Sequence, residues 1–341
     1  MKWDKEIWDE MLAKNYVIKN KHAEEELYIY NYSQSVQYEG VWNEVTLNCR
    51  GLIMDKNGRI IARPFSKFFN LEEIDRSQIP ALPFEVYDKL DGSLGIMYFV
   101  NQKPYIATRG SFHSDQAIKA TALLYTKYSH CIGKLNSEWT YLFEIIYPEN
   151  RIVVDYGSEE KLVLIAVIET STGKELSLVD IGFPLVKNYE GIHDIDRLKS
   201  MENNVDEGFV VKFQNGFRVK IKFSEYIRLH KIITQISNIT IWQHLSSNDP
   251  LEEILERVPD EFYNWVKSVV RHLHIEFKKI EEICQIEYKT METRKDTASY
   301  FLTCTHPSIL FLMLDNKDYS KEIWKKIRPS FSKPFSNQKE V

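Results

Sequence analysis

The stretch Glu85-Val86-Tyr87-Asp88-Lys89-Leu90-Asp91-Gly92-Ser93-Leu94-Gly95 places one lysine immediately before an Asp-Gly turn. An apolar, aromatic-rich strand is predicted before the turn, and a second strand is predicted over residues 96–100. A lysine held on rigid backbone in a pocket with other cations can lose its proton and attack phosphorus. For this short motif alone, the simpler interpretation is a hairpin that merely exposes its lysine. Other segments must therefore decide whether Lys89 is a nucleophile.

The composition is that of an ordinary globular protein. The chain has 341 residues, of which 43% are hydrophobic and 27% are charged, and its formal net charge is −5. Overall acidity argues against a protein that coats DNA, so any nucleic-acid contact needs a local basic groove. No apolar stretch is long enough to span a bilayer, and the start is not typical of a signal peptide. We therefore expect a cytoplasmic protein without membrane contact.

The cysteines give a further expectation about metal chemistry. They are far apart in the chain and form no Cys-x-x-Cys pair, which favours reduced thiols over a zinc site. The four positions are Cys49, Cys131, Cys284 and Cys304.

The pattern of apolar residues divides the chain into two regions. Before about residue 230, short strands alternate with turns, and helices are predicted over residues 2–14 and about 115–130. After residue 230, apolar residues recur at helical spacing, as in Ile254, Val266 and Leu273. We predict an α+β protein with one domain over residues 1–231, a smaller all-α domain over residues 232–330, and a flexible tail over residues 331–341.

Several further segments place cations or carboxylates on predicted strands. Glu144 lies between apolar neighbours, an expensive position unless the carboxylate is hydrogen-bonded. Lys220 and Lys222 alternate with apolar residues, so both should face one side of a strand. Singly, each segment has a structural interpretation as a turn, a strand end or a solvated face; together they favour a nucleotide site. The segments are Cys49-Arg50-Gly51, Arg63-Pro64-Phe65-Ser66-Lys67-Phe68-Phe69-Asn70, Phe143-Glu144-Ile145-Ile146-Tyr147-Pro148, Asp206-Glu207-Gly208 and Val219-Lys220-Ile221-Lys222-Phe223.

In this order the segments resemble the covalent nucleotidyltransferase superfamily of ATP-dependent ligases and capping enzymes. Within it the chain is similar to the T-even phage RNA ligase 1 family, from about Tyr30 to Tyr226. The most specific matches are Arg-Pro-x-x-Lys-Phe-Phe-Asn at 63–70 and Pro-x-Asn-Arg-Ile-Val at 148–153. The resemblance implies a ligase/capping-type nucleotidyltransferase domain of antiparallel sheets with flanking helices, followed by a helical domain that recognises RNA.

The resemblance also implies roles for individual residues. Lys89 would displace pyrophosphate from ATP and carry AMP, while Lys220 and Lys222 would hold the α-phosphate. Nearby cations would favour the free amine of the lysine. The outgoing phosphates would be contacted by Arg50 and Lys67, with Tyr30 nearby, while Phe69 would form a wall of the pocket and Glu144 would accept a hydrogen bond from the ribose. Glu207 would orient the lysine or a metal-bound water, and Arg109 would act as a catalytic cation. Tyr226 would take part in joining, and Asp249 would contact a metal ion.

Two positions depart from the best-known member of that family. Leu90 replaces an acidic residue inside the nucleophile motif, and its side chain should point away from the lysine. Arg109 replaces a lysine, which keeps the charge but changes the geometry.

The function that we predict is ATP-dependent RNA ligation. With Mg²⁺ (or Mn²⁺) as metal cofactor, a monomer would join 5′-phosphate and 3′-hydroxyl RNA ends, for example those of a cleaved tRNA under repair. A separate end-healing kinase-phosphatase is a candidate partner. A DNA ligase or capping enzyme is a rival, but the helical C-terminal pattern differs from their β-barrel. A non-catalytic RNA-binding relative is the second rival, and the retained lysines and carboxylates argue against it.

Overall fold

The computed structural model describes residues 4–203, 205–228, 236–255 (only the backbone of Glu253) and 263–330. The chain divides into two compact units, residues 1–233 and 234–341. The first combines antiparallel sheets with helices and the second is helical in its described part, which confirms the predicted α+β class. Within the described ranges, no helix combines the length and apolar character that a membrane crossing requires. The predicted domain boundary at 231/232 and the predicted tail fall outside these ranges.

The elements are numbered in chain order. The strands are β1 (Val17–Lys21), β2 (Leu27–Tyr32), β3 (Arg50–Asp55), β4 (Ile60–Ala62), β5 (Phe69–Asn70), β6 (Phe84–Lys89), β7 (Ser93–Val100), β8 (Lys103–Ala107), β9 (Trp139–Ile146), β10 (Lys161–Glu169), β11 (Glu175–Leu176), β12 (Asn188–Tyr189), β13 (Gly208–Phe213) and β14 (Arg218–Lys222). The α-helices are α1 (Lys5–Ala13), α2 (Gln34–Glu39), α3 (Glu44–Asn48), α4 (Asp115–Thr126), α5 (Asn238–Ser247), α6 (Glu252–Leu255), α7 (Tyr263–Glu287), α8 (Arg294–Phe301), α9 (Pro307–Leu314) and α10 (Ser320–Lys326). The 3₁₀ turns are Leu71–Glu73, Arg76–Gln78, Ser129–Lys134, Pro148–Asn150 and Ile195–Met201.

The described strands form three sheets. The first has the order β1-β2-β3-β4, the second β11-β10-β9-β7-β8, and the third β12-β6-β13-β14-β5. Neighbouring strands pair antiparallel except β14 and β5, which are parallel.

The Asp-Gly turn after Lys89 connects two sheets. β6 pairs with β13 in the third sheet, so that Lys89 lies opposite Gly208. β7 pairs with β9 in the second sheet, so that Ser93 lies opposite Ile145. The hairpin interpretation of this segment is therefore wrong, because its two strands belong to different sheets. The chain crosses between the sheets within residues 90–92, and Lys89 lies at the junction.

Apolar clusters hold the sheets against their neighbours. In the second sheet, Met97, Tyr141 and Leu164 pack with Leu124 of α4. Between the second and third sheets, Leu90 packs against a small cluster that includes Ile146. Leu90 thus contributes to the apolar packing behind the turn, as expected for the residue that replaces an acidic one in this motif.

The helix ends follow from local capping. The side chain of Asp4 accepts hydrogen bonds from the backbone N–H groups of Glu6 and Ile7 at the start of α1. The side chain of Ser114 caps α4 by accepting from the N–H of Ala117. α4 ends at Thr126 rather than near 130, and a 3₁₀ turn follows over Ser129–Lys134.

The second unit has its own apolar core. Cys284 of the long helix α7 packs with Phe301, Leu310 and Ile323 of the three following helices. The indole Nε1 of Trp242 in α5 donates to the backbone oxygen of Trp324 at 2.9 Å.

Replacing Gly208 with alanine should destabilise the first unit. The φ of Gly208 is +147°, and a Cβ built there would lie 1.9 Å from the backbone oxygen of Ile221. Strand β14 would have to move, so we expect the free energy of unfolding to fall by more than about 3 kcal/mol. Chemical denaturation followed by tryptophan fluorescence measures it.

Gly216 is the matched control, because its φ is +85° but a Cβ there meets nothing within 4 Å. Gly216→Ala should cost only about 1 kcal/mol of backbone strain. Equal losses for the two variants would show that the approach of β14 to Gly208 does not limit stability.

Candidate active site

Lys89 forms an ion pair with Glu207 at the junction of the two sheets. Its Nζ lies 2.5 Å from Glu207 Oε1, and the Nζ of Lys222 lies 3.8 Å from the same oxygen. The strand register explains the convergence, since Gly208 lies opposite both Lys89 and Lys222. Glu207 is 3% exposed. The partner of Lys89 is thus the carboxylate to which the resemblance assigned the orientation of this lysine, and the cation Lys222 lies beside the same oxygen.

Strand β14 separates its cations from the core as its alternation predicted. Val219 and Ile221 belong to the apolar cluster under the third sheet. Lys220 and Lys222 alternate with them, and Lys220 is only 9% exposed. Lys220 lies opposite Asn70 of β5, whose Oδ1 is buried without a hydrogen-bond partner among the described residues. This end of the sheet therefore gathers two lysines and an unsatisfied amide oxygen.

Glu144 lies on the other side of the same junction. It pairs across the sheet with Leu94, next to the Asp-Gly turn. A Cβ on Gly92 would lie 2.6 Å from the backbone oxygen of Ile145 and 3.2 Å from Glu144 Oε1, so glycine allows the turn to come this close. Burial, more than any other influence, raises the pKa of Glu144 to about 8, while Lys89 lowers it and Glu207 raises it. Near neutral pH this carboxyl therefore retains its proton in much of the folded protein.

Arg50 and Arg109 form a second cationic group beside the tyrosine ring of Tyr32. Arg109 Nη1 donates to the Tyr32 hydroxyl at 3.3 Å, and its guanidinium lies 5.4 Å from the ring centroid. Burial lowers the pKa of Arg50. In the described part of the chain, Arg50 Nη1 is buried without a hydrogen-bond partner. An unsatisfied guanidinium N–H is a donor that an anionic ligand can use.

Lys67 lies inside a cage of aromatic rings. Its Nζ is 5.7 Å from the ring centroid of Tyr32, 5.4 Å from that of Trp42 and 5.3 Å from that of Phe69. Trp42 contacts the other two rings edge-on, at 5.1 and 5.3 Å. Cation–π attraction of this kind holds an ammonium group in place at low exposure, and Lys67 is 8% exposed. Trp42 was missed in the sequence, where a single tryptophan outside any motif carries no signal.

Tyr32 lies beside Arg109 and Lys67, although the resemblance implied that Tyr30 would lie near the cations that contact the outgoing phosphates. Tyr30 is 6% exposed and packs on Trp8 with ring centroids 5.1 Å apart, inside an apolar cluster. Tyr32 is the tyrosine that contacts both Arg109 and Lys67. Tyr30 and Tyr32 share a face of β2, which pairs with β1 without a shift over these residues, so their surroundings differ because they occupy different positions along the strand. The role of Tyr30 near the outgoing phosphates stays a prediction.

Asp91 is the second functional residue that the sequence analysis missed. It is 3% exposed, and its Oδ2 accepts the N–H groups of Val153 and Val154 at 2.7 and 2.8 Å. Its Oδ1 accepts the hydroxyl of Tyr226 at 2.9 Å. Tyr226 is 4% exposed, so it supports the turn from inside the core. The signal was present, since Asp91 is part of the quoted Lys-x-Asp-Gly motif.

The segment 148–153, which the sequence analysis singled out, also has a structural role. Asn150 Nδ2 donates to the backbone oxygen of Ile145 at 2.9 Å, and its Oδ1 accepts the hydroxyl of Ser93 at 3.0 Å. This segment is therefore tied to the start of β7, directly after the Asp-Gly turn. Arg63, in contrast, donates its Nε to the backbone oxygen of Thr170 at 3.0 Å and is a structural cation.

Metal ligands are few in the described residues. Over these ranges no three His, Cys, Asp or Glu side chains come together in a way that could hold a metal ion. Asp249 is exposed and belongs to the second unit, so its assignment as a metal contact stays a prediction. The carboxylates at the junction are Glu207 and Glu144.

Comparison with known proteins identifies relatives. The sequence profile of a family described as RNA ligase matches residues 48–226. A protein of Thermovibrio ammonificans named "Putative RNA ligase" is 33% identical over 202 residues, covering 54% of this chain and 53% of its own length. A "Putative bifunctional polynucleotide kinase/RNA ligase" of Autographa californica nuclear polyhedrosis virus is 27% identical over 283 residues, covering 74% of this chain and 40% of the viral protein. The chain thus spans about half the length of these curated relatives.

Among solved structures, an RNA ligase of Naegleria gruberi is similar to part of the chain. The TM-score is 0.41 at 19% sequence identity, and the match covers 50% of this chain and 60% of the other.

The raised pKa of Glu144 predicts a pH dependence of stability. Its folded pKa of about 8 exceeds the ordinary value of 4.5, so the folded state keeps a proton that the unfolded chain releases. The stabilisation that this proton provides is complete below pH 4.5 and is lost as the pH rises to about 8. The glutamine side chain of the Glu144→Gln variant cannot titrate. The Tm of the variant minus the Tm of the wild type should therefore increase between about pH 5 and pH 8 in thermal unfolding scans.

Glu138→Gln is the control, because Glu138 is an exposed glutamate just before the same strand. It should leave the pH profile of the wild type unchanged. A Tm difference between Glu144→Gln and wild type that does not vary with pH would show that Glu144 ionises normally.

Proposed function

This chain belongs to the RNA ligase family, and we propose that it joins RNA ends at the expense of ATP through covalent adenylylation of Lys89. The observation that carries the proposal is the ion pair of Lys89 with the buried Glu207, beside Lys222 and at the end of a strand. A reactive lysine needs a fixed position and a proton acceptor or counter-charge nearby. The register of β6, β13 and β14 supplies both.

In the first step the Nζ of Lys89 attacks the α-phosphorus of ATP. A nitrogen–phosphorus bond forms, the bond to the pyrophosphate oxygen breaks, and Nζ gives up a proton. Glu207 Oε1, 2.5 Å from Nζ, is placed to take that proton or to orient the amine. Lys220 and Lys222 would hold the α-phosphate, and Arg50 with its unsatisfied Nη1 would bind the departing phosphates. Glu144, with its raised pKa, would hydrogen-bond the ribose.

The second and third steps complete the joining. An oxygen of the RNA 5′-phosphate attacks the phosphorus on Lys89, the nitrogen–phosphorus bond breaks, and Nζ recovers a proton. The 3′-hydroxyl of the other end then attacks the 5′-phosphorus of the activated end and loses its proton. The phosphodiester bond forms, the phosphoanhydride bond to AMP breaks, and AMP leaves. Both steps place attacking groups among the same cations, so positioning and charge stabilisation would serve all three.

A divalent cation could bind at the carboxylate of Glu207. Magnesium and manganese bind through one or two carboxylates together with substrate phosphates, and the ionised form of Glu207 would be an oxygen donor of that kind. A bound cation would neutralise charge on the phosphates as the pyrophosphate leaves. Either metal would serve.

The two units of the chain suggest two separate functions. We assign adenylyl transfer to residues 1–231 and RNA recognition to residues 232–330, whose described part is largely helical. Cleaved tRNA is our candidate substrate, since broken loops offer single-stranded ends. The viral relative named as a kinase/RNA ligase supports a separate end-healing enzyme as partner.

Replacing Lys89 should abolish covalent labelling. Incubation with α-³²P-labelled ATP, followed by denaturing electrophoresis, should leave acid-labile label on the wild-type protein and none on Lys89→Ala or Lys89→Arg. Lys89→Arg keeps the positive charge beside Glu207, so loss of label there cannot be attributed to a lost ion pair. Lys212→Ala is the control, because Lys212 pairs with Glu85 and Glu175 on β6 and β11, away from Glu207.

The substrate is tested with matched ends. A linear 5′-phosphorylated single-stranded RNA, a cleaved tRNA and a nicked DNA duplex are offered at equal concentration. Preferential sealing of the RNAs supports the proposal, and preferential sealing of the DNA favours the DNA ligase alternative. Absence of label on the wild-type protein would favour a non-catalytic RNA-binding relative.

Tyr226→Phe should impair both adenylylation and sealing. The variant loses the hydroxyl that donates to Asp91 Oδ1, which should cost about 1–3 kcal/mol of unfolding free energy and loosen the turn behind Lys89. Rates of Lys89 labelling and of RNA sealing should fall together. Tyr128→Phe is the control, because Tyr128 is equally buried, at 4% exposure, but lies in the cluster under α4. Loss of sealing with unchanged labelling would instead indicate an RNA contact for Tyr226.

A further inference from the structure

A cavity of about 400 Å³ opens beside the β7–β8 edge of the second sheet. None of the residues assigned above to adenylylation lines it. The cavity is large enough for a small organic ligand, and pockets of this size usually combine aromatic walls with a few polar groups. Its lining residues include His22, Glu24, Glu25, Tyr98, Tyr105 and Phe112.

Aromatic rings form the walls of the cavity. Phe112 contacts Tyr98 at 5.2 Å and His22 at 4.9 Å between ring centroids, and both contacts are edge-on. Tyr98 and Phe112 are 2% and 6% exposed, so packing fixes them. Tyr105 is partly exposed, and the neighbouring lining residue Ile118 is 58% exposed. Because Tyr98 and Phe112 are almost fully buried, the partly exposed ring of Tyr105 is the surface on which a flat ligand could stack.

The polar groups that line the cavity include the carboxylates of Glu24 and Glu25, the ammonium group of Lys103 and the imidazole of His22. They offer both hydrogen-bond donors and acceptors to a ligand. His22 Nδ1 accepts the backbone N–H groups of Glu24 and Glu25 at 3.2 and 3.1 Å, so its neutral ring carries its proton on Nε2. Burial lowers the pKa of His22, and His113 lowers it further. The Glu24 and Glu25 side chains add carboxylates, which repel phosphate and accept hydrogen bonds from amino groups.

A single turn links this cavity to the adenylylation site. The N–H of Thr108 donates to the oxygen of Ser111 at 2.9 Å, closing a turn that places Arg109 on one side and Phe112 on the other. Asn20 Nδ2 holds the turn by donating to the oxygen of Gly110 at 2.8 Å. Arg109 reaches the hydroxyl of Tyr32, while Phe112 lines the cavity. A ligand in the cavity would therefore lie a few residues from the phosphate-binding cations.

We propose that this cavity receives one unstacked nucleobase of the RNA strand, from a nucleotide near the ends being joined. Single-stranded RNA is commonly bound by stacking splayed bases on aromatic side chains and hydrogen-bonding their edges. The aromatic walls supply the stacking surface, and the carboxylates and His22 supply partners for the base edge. The inference rests on the proposed RNA ligase function and adds to it a site for the substrate strand.

The test removes the base without changing the protein. A set of 5′-phosphorylated RNAs, each with one abasic nucleotide at a successive position from either end, is sealed by the wild-type protein. One position should raise the KM for RNA about tenfold, as loss of one stacked base does in other single-strand binders. The double variant Tyr105→Ala/His113→Ala should raise the KM for intact RNA by a similar factor. In that variant the same abasic substitution should have no further effect.

Two controls separate this site from the chemistry. Labelling of Lys89 with ATP should be unchanged in the double variant, because neither residue contacts the Lys89 pocket residues described above. His193→Ala, at another exposed histidine of the same unit, should seal all RNAs as the wild type does. If the double variant folds poorly, 4-thiouridine placed at the sensitive position of the RNA should still crosslink to a cavity residue of the wild-type protein, as identified by mass spectrometry.

Three results would overturn the proposal. A wild-type protein that seals every abasic RNA as well as the intact strand has no base site, although the proposed function stands. If the abasic nucleotide raises the KM of the double variant as much as that of the wild type, or if the crosslink forms outside the cavity, the base binds elsewhere. A wild-type protein that seals no RNA removes the proposed function and this inference together.

Discussion

The buried carboxylate of Asp91 is the interaction on which the pocket depends. It lies where the chain crosses from one sheet to another, and it binds two backbone N–H groups and one hydroxyl from two distant segments. A buried carboxylate without such donors would cost several kcal/mol, so the three segments must come together for the turn to form. Lys89 lies two residues earlier. The same hydrogen bonds therefore fix where its Nζ meets Glu207.

The pocket brings several positively charged side chains together, although the chain as a whole is acidic. Lys89 and Lys222 share the carboxylate of Glu207, so two positive charges face one negative charge at this point of the pocket. Arg50 keeps an unsatisfied buried N–H, and Glu144 is held partly neutral by burial. Burying these two groups costs folding free energy when no ligand is bound, and hydrogen bonds to a phosphate and a ribose would reduce that cost. Such locally unfavourable arrangements are typical of functional sites.

The sequence predicted the strands and the chemistry better than the way in which the strands pair. Alternation placed Lys220 and Lys222 on one face and Ile221 in the core, because a period of two is a local property of a strand. The separation of β6 and β7 into different sheets is not local, and a hairpin was a reasonable expectation for an Asp-Gly turn. Tyr30 and Tyr32 share a face of β2, so only tertiary packing distinguishes them: Tyr30 packs on Trp8, whereas Tyr32 contacts Arg109 and Lys67. Trp42 and the aromatic cavity depend on tertiary packing alone.

Arg109 shows how a backbone constraint can set the geometry of a charge. Gly51 has a φ of +93°, and a Cβ on it would lie 3.2 Å from both the Cα and the backbone oxygen of Arg109. The turn that carries Arg109 can therefore approach β3, next to Arg50, only because residue 51 is glycine. From that position the planar guanidinium lies against the ring of Tyr32 and donates to its hydroxyl, a geometry that a lysine could not reproduce. The same turn carries Phe112, so its close approach to Gly51 also helps to position a wall of the neighbouring cavity.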